Sequence, residues 1–279
     1  MTGYLRRDFF RVEGYTSYFD AQIFDVLLKA QRAAGIGGAM AEIGVHHGRS
    51  FFILARARHA GEKALAVDVF EDDALYRDPL GFGRGGRFKQ NCARLGVVLD
   101  PSEIFAGLST GLAPNEIRRR VGPVRFFSID GGHRYHDVRH DLWLAAGALG
   151  PRGIIVADDF MNPQWPEVSL AVVEWLRDAG NPLTPFLSSP SKLYLCARSD
   201  KLFYQKQARD FFAAGRAVMR PTTLFDDTYY FARQNSRDKL RDLIKERLVS
   251  RWFRSAPPAA ALPAAQPAEA QPLPHKHAA

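Results

Sequence analysis

A chain of 279 residues, 46% hydrophobic and 24% charged, is long enough for one large domain with elaborations and too apolar to be disordered throughout. It has no run of 18 or more apolar residues, and its start, MTGYLRRDFF, lacks the apolar stretch of a signal peptide, so a membrane span is excluded and a cytosolic setting is expected. Two cysteines, Cys92 and Cys196, exclude a disulfide framework and read as reduced thiols, while the net charge of +8 leaves anionic partners open.

Residues 1–16 mix aromatic and basic groups and read as an N-terminal arm. From Tyr18 to Ala34, Phe19, Ile23, Phe24, Leu27 and Leu28 fall on one helical stripe that should cover a sheet face. Gly35-Ile36-Gly37-Gly38 stops this helix, and Ala39 to Gly44 follows as a short buried strand. The segment AEIGVHHGRS, 41–50, then places Gly44 and Gly48 in a tight loop between that strand and a helix starting near Arg49-Ser50. Free backbone N–H groups at such a junction receive a carboxylate or phosphate. Glu42 should sit beneath the loop as an acceptor, with His46 and His47 in the loop itself. The spacing is G-x-x-x-G, so a dinucleotide fingerprint is disfavoured.

LAVDVFED, 65–72, is a second buried strand ending at Asp68, where an acid can bond ribose hydroxyls. A loop with glycines at 81, 83, 85 and 86 is either a phosphate cradle, a lid or a plain linker. A helix to about Leu95, a third strand from Ser102 and a short basic helix from Pro114 to Arg120 complete this part.

The stretch 124–160 reads as strand, helix, strand. Val124–Ile129 and Ile154–Ala157 suit parallel strands buried on both faces, joined by a helix from about Tyr135 to Leu149. A right-handed crossover delivers Asp130 and the Asp158-Asp159 pair together to the carboxyl edge of the sheet, where open α/β sheets bind ligands. Carboxylates a few ångströms apart repel by roughly 1–4 kcal/mol per pair, which a hard divalent cation or a shared proton relieves. Alternatively Asp130 caps a turn and only one of the pair faces the cleft. His136 and His140, at i and i+4 on the crossover helix, imitate a zinc motif but lack a third ligand.

Asn162, Gln164 and Trp165 follow the acid pair and either line an acceptor pocket or pack as loop. Pro166–Ala179 is an amphipathic helix and Phe186–Ala197 a closing hairpin. Leu202–Phe231, rich in Phe and Tyr, either roofs the acceptor site or makes a dimer contact. Residues 198–254 carry 14 Lys or Arg against 7 Asp or Glu, much of this on a helix from Ser236 to Arg254. With Leu240, Leu243, Ile244, Leu248 and Trp252 on one side, that helix packs on its own domain, lies on an anionic membrane or pairs with another subunit. Interleaved acids and the lack of a recognised motif disfavour nucleic acid. The Ala/Pro-rich segment 256–279 should be disordered.

Repeated strand–helix alternation implies an α/β, doubly wound sheet. From about residue 36 to 197 the chain resembles class I S-adenosylmethionine-dependent methyltransferases, and most of all the bacterial group of macrocin-type sugar O-methyltransferases. The resemblance rests on AEIGVHHGRS, on AVDVF, and on SIDGGHRYHDVRHDL with GIIVADDF. It implies a mostly parallel seven-stranded sheet of order 3-2-1-4-5-7-6, with residues 1–35 as N-terminal arm and helix, 36–198 as the methyltransferase domain and 199–255 as an aromatic and basic helical extension. It further implies S-adenosylmethionine held by Glu42, Gly44, Gly48 and Ser50 at the methionine end, Asp68 at the ribose and Ser109 near the adenine, with Asp130 beside it. Asp130, Asp158 and Asp159 match metal-binding acids, with Mg²⁺ the expected ion, although the group often has Glu-Asp where this chain has Asp158-Asp159. His133 matches the position of a general base.

Methyl transfer to a hydroxyl needs an oxygen in line with the sulfonium methyl and a group to take its proton. A metal would lower the hydroxyl pKa, and an imidazole at the mouth of a helix N-terminus stays neutral enough to act. The expected activity is therefore O-methylation of a sugar or another small polar metabolite. The other readings are a metal-dependent hydroxylase on the same fold and a non-catalytic nucleotide-binding assembly protein.

Overall fold

The computed structural model describes residues 3–70, 85–213, 215 and 217–255. Its helices are α1 (Gly3–Arg7), α2 (Tyr18–Ala33), α3 (Phe51–Ala55), α4 (Gly85–Leu95), α5 (Pro114–Val121), α6 (Tyr135–Ala148), α7 (Pro166–Arg177), α8 (Lys201–Phe212) and α9 (Ser236–Ser255). The strands are β1 (Ala39–Ile43), β2 (Ala64–Asp68), β3 (Ile104–Ala106), β4 (Val124–Ile129), β5 (Leu149–Ala157), β6 (Leu183–Ser188), β7 (Leu193–Ala197), β8 (Ala217–Leu224) and β9 (Asp227–Gln234). The glycines expected at 81 and 83 and the tail 256–279 lie outside the described residues.

The strands form one sheet of order β3-β2-β1-β4-β5-β7-β6-β9-β8. β1 to β5 run parallel, and β7 is antiparallel to β5 and β6. The doubly wound architecture and the order 3-2-1-4-5-7-6 hold, but the sheet is nine-stranded rather than seven. The extra pair lies in the segment expected to be helical. Residues 217–234 fold into the β8–β9 hairpin, which joins the edge when β9 pairs parallel to β6 through Leu187 with Tyr230 and Ser188 with Phe231. Alternating exposure along β8 is the period-2 signature of a half-covered strand, and the hairpin caps an edge that β6 would otherwise leave open.

Helices cover both faces, giving two separate cores. One packs α1, α2, α3, α4 and α8 around Phe24, Phe52, Phe126, Tyr194 and Tyr204. The other packs α5, α6 and α7 around Ile43, Phe127, Leu142, Ile155 and Val172. β1, β2 and β4 are buried at every position, as parallel strands sandwiched between helices must be. Cys196 is free and buried, and Cys92 is free and half-buried. Among the described residues no helix is long and apolar enough to cross a membrane.

Several charged residues lie inside this apolar frame, and Arg125 is the largest of them. Arg125, within β4, is fully buried. Its guanidinium donates to Glu62 Oε1 at 3.2 Å and Oε2 at 3.0 Å, to Gln31 Oε1 at 2.8 Å and to the carbonyls of Gly38 and Ala57. Burial pushes the Glu62 carboxyl up, but the bonds from Arg125 and from the His59 and Gly38 amides outweigh it and hold its pKa below the usual range. All five guanidinium contacts go to protein acceptors, which is the condition for a buried arginine to be tolerated. Glu62→Ala, which strands the guanidinium, is expected to lower the unfolding free energy by about 3–5 kcal/mol, read from urea denaturation. Arg125→Met combined with Glu62→Ala should cost less than the sum of the two single changes; simple additivity would contradict the pairing.

Candidate active site

Four strand ends meet along one edge of the sheet. The backbone ladder continues one residue past each: Gly107 N–H donates to Asp68 O at 2.8 Å, Gly44 to Val67 at 2.9 Å, Asp130 to Ile43 at 2.9 Å and Asp158 to Ile129 at 2.9 Å. This continuation brings residues distant in sequence into one row. Above them opens a cleft of about 410 Å³, lined by Gly44, His46, Asp68, Ser109, Asp130, His133, Asp158, Asp159, Asn162, Gln164 and Trp165 among others. None of the described residues of 202–231 lines it.

The loop after β1 is shaped by close approach. Gly44 has φ +81, and a Cβ there would lie 1.6 Å from the Asp130 carbonyl oxygen, so any side chain would push β1 and β4 apart. Gly48, at φ +93, instead makes room for the Phe52 ring and does not line the cleft. His46 lines the cleft, its ring stacked on His47 at 3.8 Å, while His47 is buried with Nδ1 3.6 Å from Glu13. Asp68 accepts the His46 amide at 2.7 Å and the Phe70 amide at 3.0 Å. The carboxylate expected at the ribose thus also fixes the loops on either side of it.

Glu42 lies beneath the loop, fully buried and away from the cleft wall. Neither of its oxygens finds a well-directed hydrogen bond. Burial pushes its carboxyl up to about 8, against the lowering influence of the Ser50 hydroxyl, the Lys192 ammonium and the Ser128 hydroxyl. Ser50 is likewise buried beside Glu42 rather than in the cleft. Because α3 has only five residues, the helix end expected at Arg49-Ser50 is short. Ser109 lines the cleft, and its carbonyl lies 3.1 Å from His140 Nε2. His140 therefore anchors the loop after β3.

The three acids have three different surroundings. Asp158 pairs with the ammonium of Lys192, a residue 1% exposed. Antiparallel pairing of β7 with β5 sets Leu193 opposite Ala157, so the next register position faces Lys192 toward Asp158. The pKa of Lys192 is raised: burial lowers it, but Asp158, Asp130 and Asp20 prevail. Asp130 is pushed well above the usual carboxylate range by burial and by the charge of Asp158, with Lys192 opposing. Asp159 has φ +55, a left-handed conformation that costs a non-glycine residue of order 1–3 kcal/mol. It is held there by Asn162 Nδ2 at 2.6 Å, and its Oδ2 lies 3.0 Å from His133 Nε2. Burial raises the Asp159 pKa, but His133 and Asn162 more than reverse this and hold it low. The His133 ring in turn stacks on Trp165, with centroids 4.2 Å apart and planes 10° from parallel.

Ligand atoms of Asp130, His133 and Asp159 lie within 4.8 Å of one another, and among the described residues no other His, Cys, Asp or Glu group is so placed. Two carboxylates and an imidazole suit a divalent cation. The expected set was Asp130, Asp158 and Asp159; Lys192 engages Asp158, and the groups that lie together at the cleft are Asp130, Asp159 and the imidazole of His133.

Among the lining residues that the sequence did not single out are Tyr15 and Thr16 from the N-terminal arm, Asp137 on α6, and Lys192. The arm is brought in by Tyr4, whose hydroxyl donates to the Arg49 carbonyl at 2.9 Å, and by Arg49 Nε, which donates to the Val12 carbonyl. For Lys192 a signal existed. Three carboxylates at a strand edge call for a cation, and a lysine directly precedes the antiparallel strand that begins there.

Residues 41–160 match the family model described as a methyltransferase domain. No curated protein matches the sequence. Among solved structures, the O-methyltransferase NovP is similar at 14% identity and a TM-score of 0.51, over 64% of this chain and 79% of that one. The calicheamicin methyltransferase CalS11 is similar at 20% identity and TM-score 0.46, over 64% and 78%. A structure titled as a putative O-methyltransferase from Klebsiella pneumoniae is similar at 15% and 0.49, over 71% and 90%. The matched segment runs from β1 to the acids beyond β5, so the strand ends that build the cleft fall within the part of the chain that matches a methyltransferase domain, and the fold is that of the O-methyltransferase NovP.

Proposed function

We propose that the chain transfers the methyl group of S-adenosylmethionine to a hydroxyl of a small polar acceptor, a sugar or a similar metabolite. The observation that carries this reading is the His133–Asp159 contact on the floor of the cleft, with Trp165 stacked on the imidazole. A hydroxyl is a poor nucleophile until a base removes its proton in the transition state. Asp159 orients the imidazole and stabilises the imidazolium that forms, while Trp165 restricts the ring to one plane and offers an apolar face to an acceptor. An amine acceptor would need no such dyad, because its lone pair is available once it is neutral. O-methylation is also the activity given for NovP, whose fold is shared.

The cofactor lies along the opposite half of the cleft in this reading. Asp68 receives the ribose hydroxyls, the loop of Ser109 flanks the adenine, and Gly44 leaves the backbone bare for the methionine end. Asp130 and Asp159 would hold a divalent cation, leaving His133 for the proton. Such a cation, when bound, lowers the pKa of the acceptor hydroxyl. Asp158 contributes indirectly by keeping Lys192 in place, so that one fixed positive charge already offsets the acids. Asn162 and Gln164 offer amide groups at the open side, where a polar acceptor enters.

Asp68→Ala is expected to weaken S-adenosylhomocysteine binding by at least about tenfold, some 1.4 kcal/mol, in calorimetric titration. Asp159→Ala should leave that affinity within about twofold while removing methyl transfer, about a hundredfold or more for a lost acid–base partner. Equal loss of cofactor in both variants would contradict the division of the cleft.

Glu42 provides a pH signature. With its carboxyl raised to about 8, it is mostly protonated at neutral pH. A cationic amino group arriving at the methionine end favours the ionised form and lowers that pKa. Binding therefore releases a proton at pH 7 and ceases to do so well above pH 8. Titrations in buffers of different ionisation enthalpy read the release directly, and Glu42→Gln should abolish it. Proton uptake in the unaltered protein would place the amino group elsewhere.

A further inference from the structure

The last helix faces the wrong way for a helix that merely completes a core. Along α9, Leu240, Ile244 and Leu248 recur every fourth residue with Leu243 beside them, one continuous stripe on a helical surface. They are 58%, 49%, 65% and 45% exposed. The docked side is polar instead. Asp242 is buried and accepts from Gln234 at 2.6 Å, and Glu246 pairs with Arg49 at 2.7 Å. Asp238 accepts from Asn235 and meets Arg241 at 2.9 Å. Thus every acid in residues 236–249 is engaged, while Arg237, Lys239 and Lys245 are exposed. Arg6 of α1 lines one shallow cleft with Arg241 and Lys245, so the basic surface continues onto the N-terminal arm.

We infer that this face of α9 docks on an anionic lipid surface, independently of the acceptor that the cleft takes. An exposed apolar stripe accompanied by cations, with the acids turned away, is the charge pattern of a helix lying in a headgroup layer: the leucines enter the acyl boundary and the basic groups remain among the phosphates. A second copy fits less well. Two such faces meeting would set Lys239 and Lys245 against like charges, and Glu246, whose side chain is partly exposed, is already paired with Arg49. The Glu246–Arg49 pair also joins α9 to the loop after β1, so the docked helix would hold the cofactor cleft in a fixed attitude to the surface.

The test is flotation of the full chain with vesicles. Binding is expected to mixed phosphatidylglycerol and phosphatidylcholine and to be at least tenfold weaker with phosphatidylcholine alone. Raising the salt from about 0.1 to 0.5 M should weaken it similarly, because screening shortens the reach of the basic groups. Leu243→Ser with Ile244→Ser, and separately Lys239→Glu with Lys245→Glu, should each reduce binding at least tenfold without changing S-adenosylhomocysteine affinity, which verifies their folding. Absence of binding to anionic vesicles, or equal binding to neutral ones, overturns the inference. So does a dimer, detected by light scattering, that the Leu243→Ser, Ile244→Ser variant converts to monomer, since it would assign the face to a second copy.

Discussion

An ammonium group with almost no access to water has to be neutralised by its immediate neighbours. Lys192 meets that condition only where β5 and β7 run side by side, because their antiparallel register sets it opposite Asp158. The pair explains several features at once. It fixes the turn Ser189–Lys192 that closes the β6–β7 hairpin. It also places one positive charge among Asp20, Asp130 and Asp158, a group that would otherwise be forced to share protons. Asp130 remains above the usual carboxylate range even so, since burial and Asp158 act together against one lysine. Removing either partner of such a pair leaves a buried charge alone, which is far costlier than never having had the pair.

The two ends of the sheet use buried cations differently. At the amino end, Arg125 satisfies its fork with Glu62, Gln31 and two carbonyls, a closed arrangement that leaves nothing for a ligand. At the carboxyl end, the acids outnumber Lys192, and His133, Asp159 and Asp130 still face an open cleft. Two of the left-handed non-glycine residues, His46 and Asp159, line the cleft, and Asn162 holds Asp159 in that conformation.

Much of the fold was legible because it rests on local pattern. The parallel strands are short apolar runs with no polar alternation, and the connecting helices show their stripes, so α2, α6 and α7 fall within two residues of their expected limits. The row of Asp68, Asp130, Asp158 and Asp159 was legible for a related reason: each acid directly follows an apolar strand, and parallel strands all deliver their ends to the same edge. The β8–β9 hairpin was not, since its residues alternate only weakly and its partner, β6, lies about forty residues earlier. Arg125 was hidden within a run that reads as apolar, because nothing local reveals that Glu62 and Gln31 converge on it.

The sequence by itself determined the class of fold, the carboxyl edge as the place of the cleft, and the acids and histidine that gather there, since these depend on strand polarity and on residues adjoining strands. The tertiary structure alone decided how those groups are shared out. It gave Asp158 to Lys192 and Asp159 to His133, buried Glu42 and Ser50 beneath the loop, brought Tyr15 and Thr16 to the cleft, and turned the leucines of α9 outward. Each of these is a long-range pairing, in which a charge or an apolar face finds its partner across the fold. Such choices follow from electrostatic neutralisation and packing in three dimensions, which residue spacing does not encode.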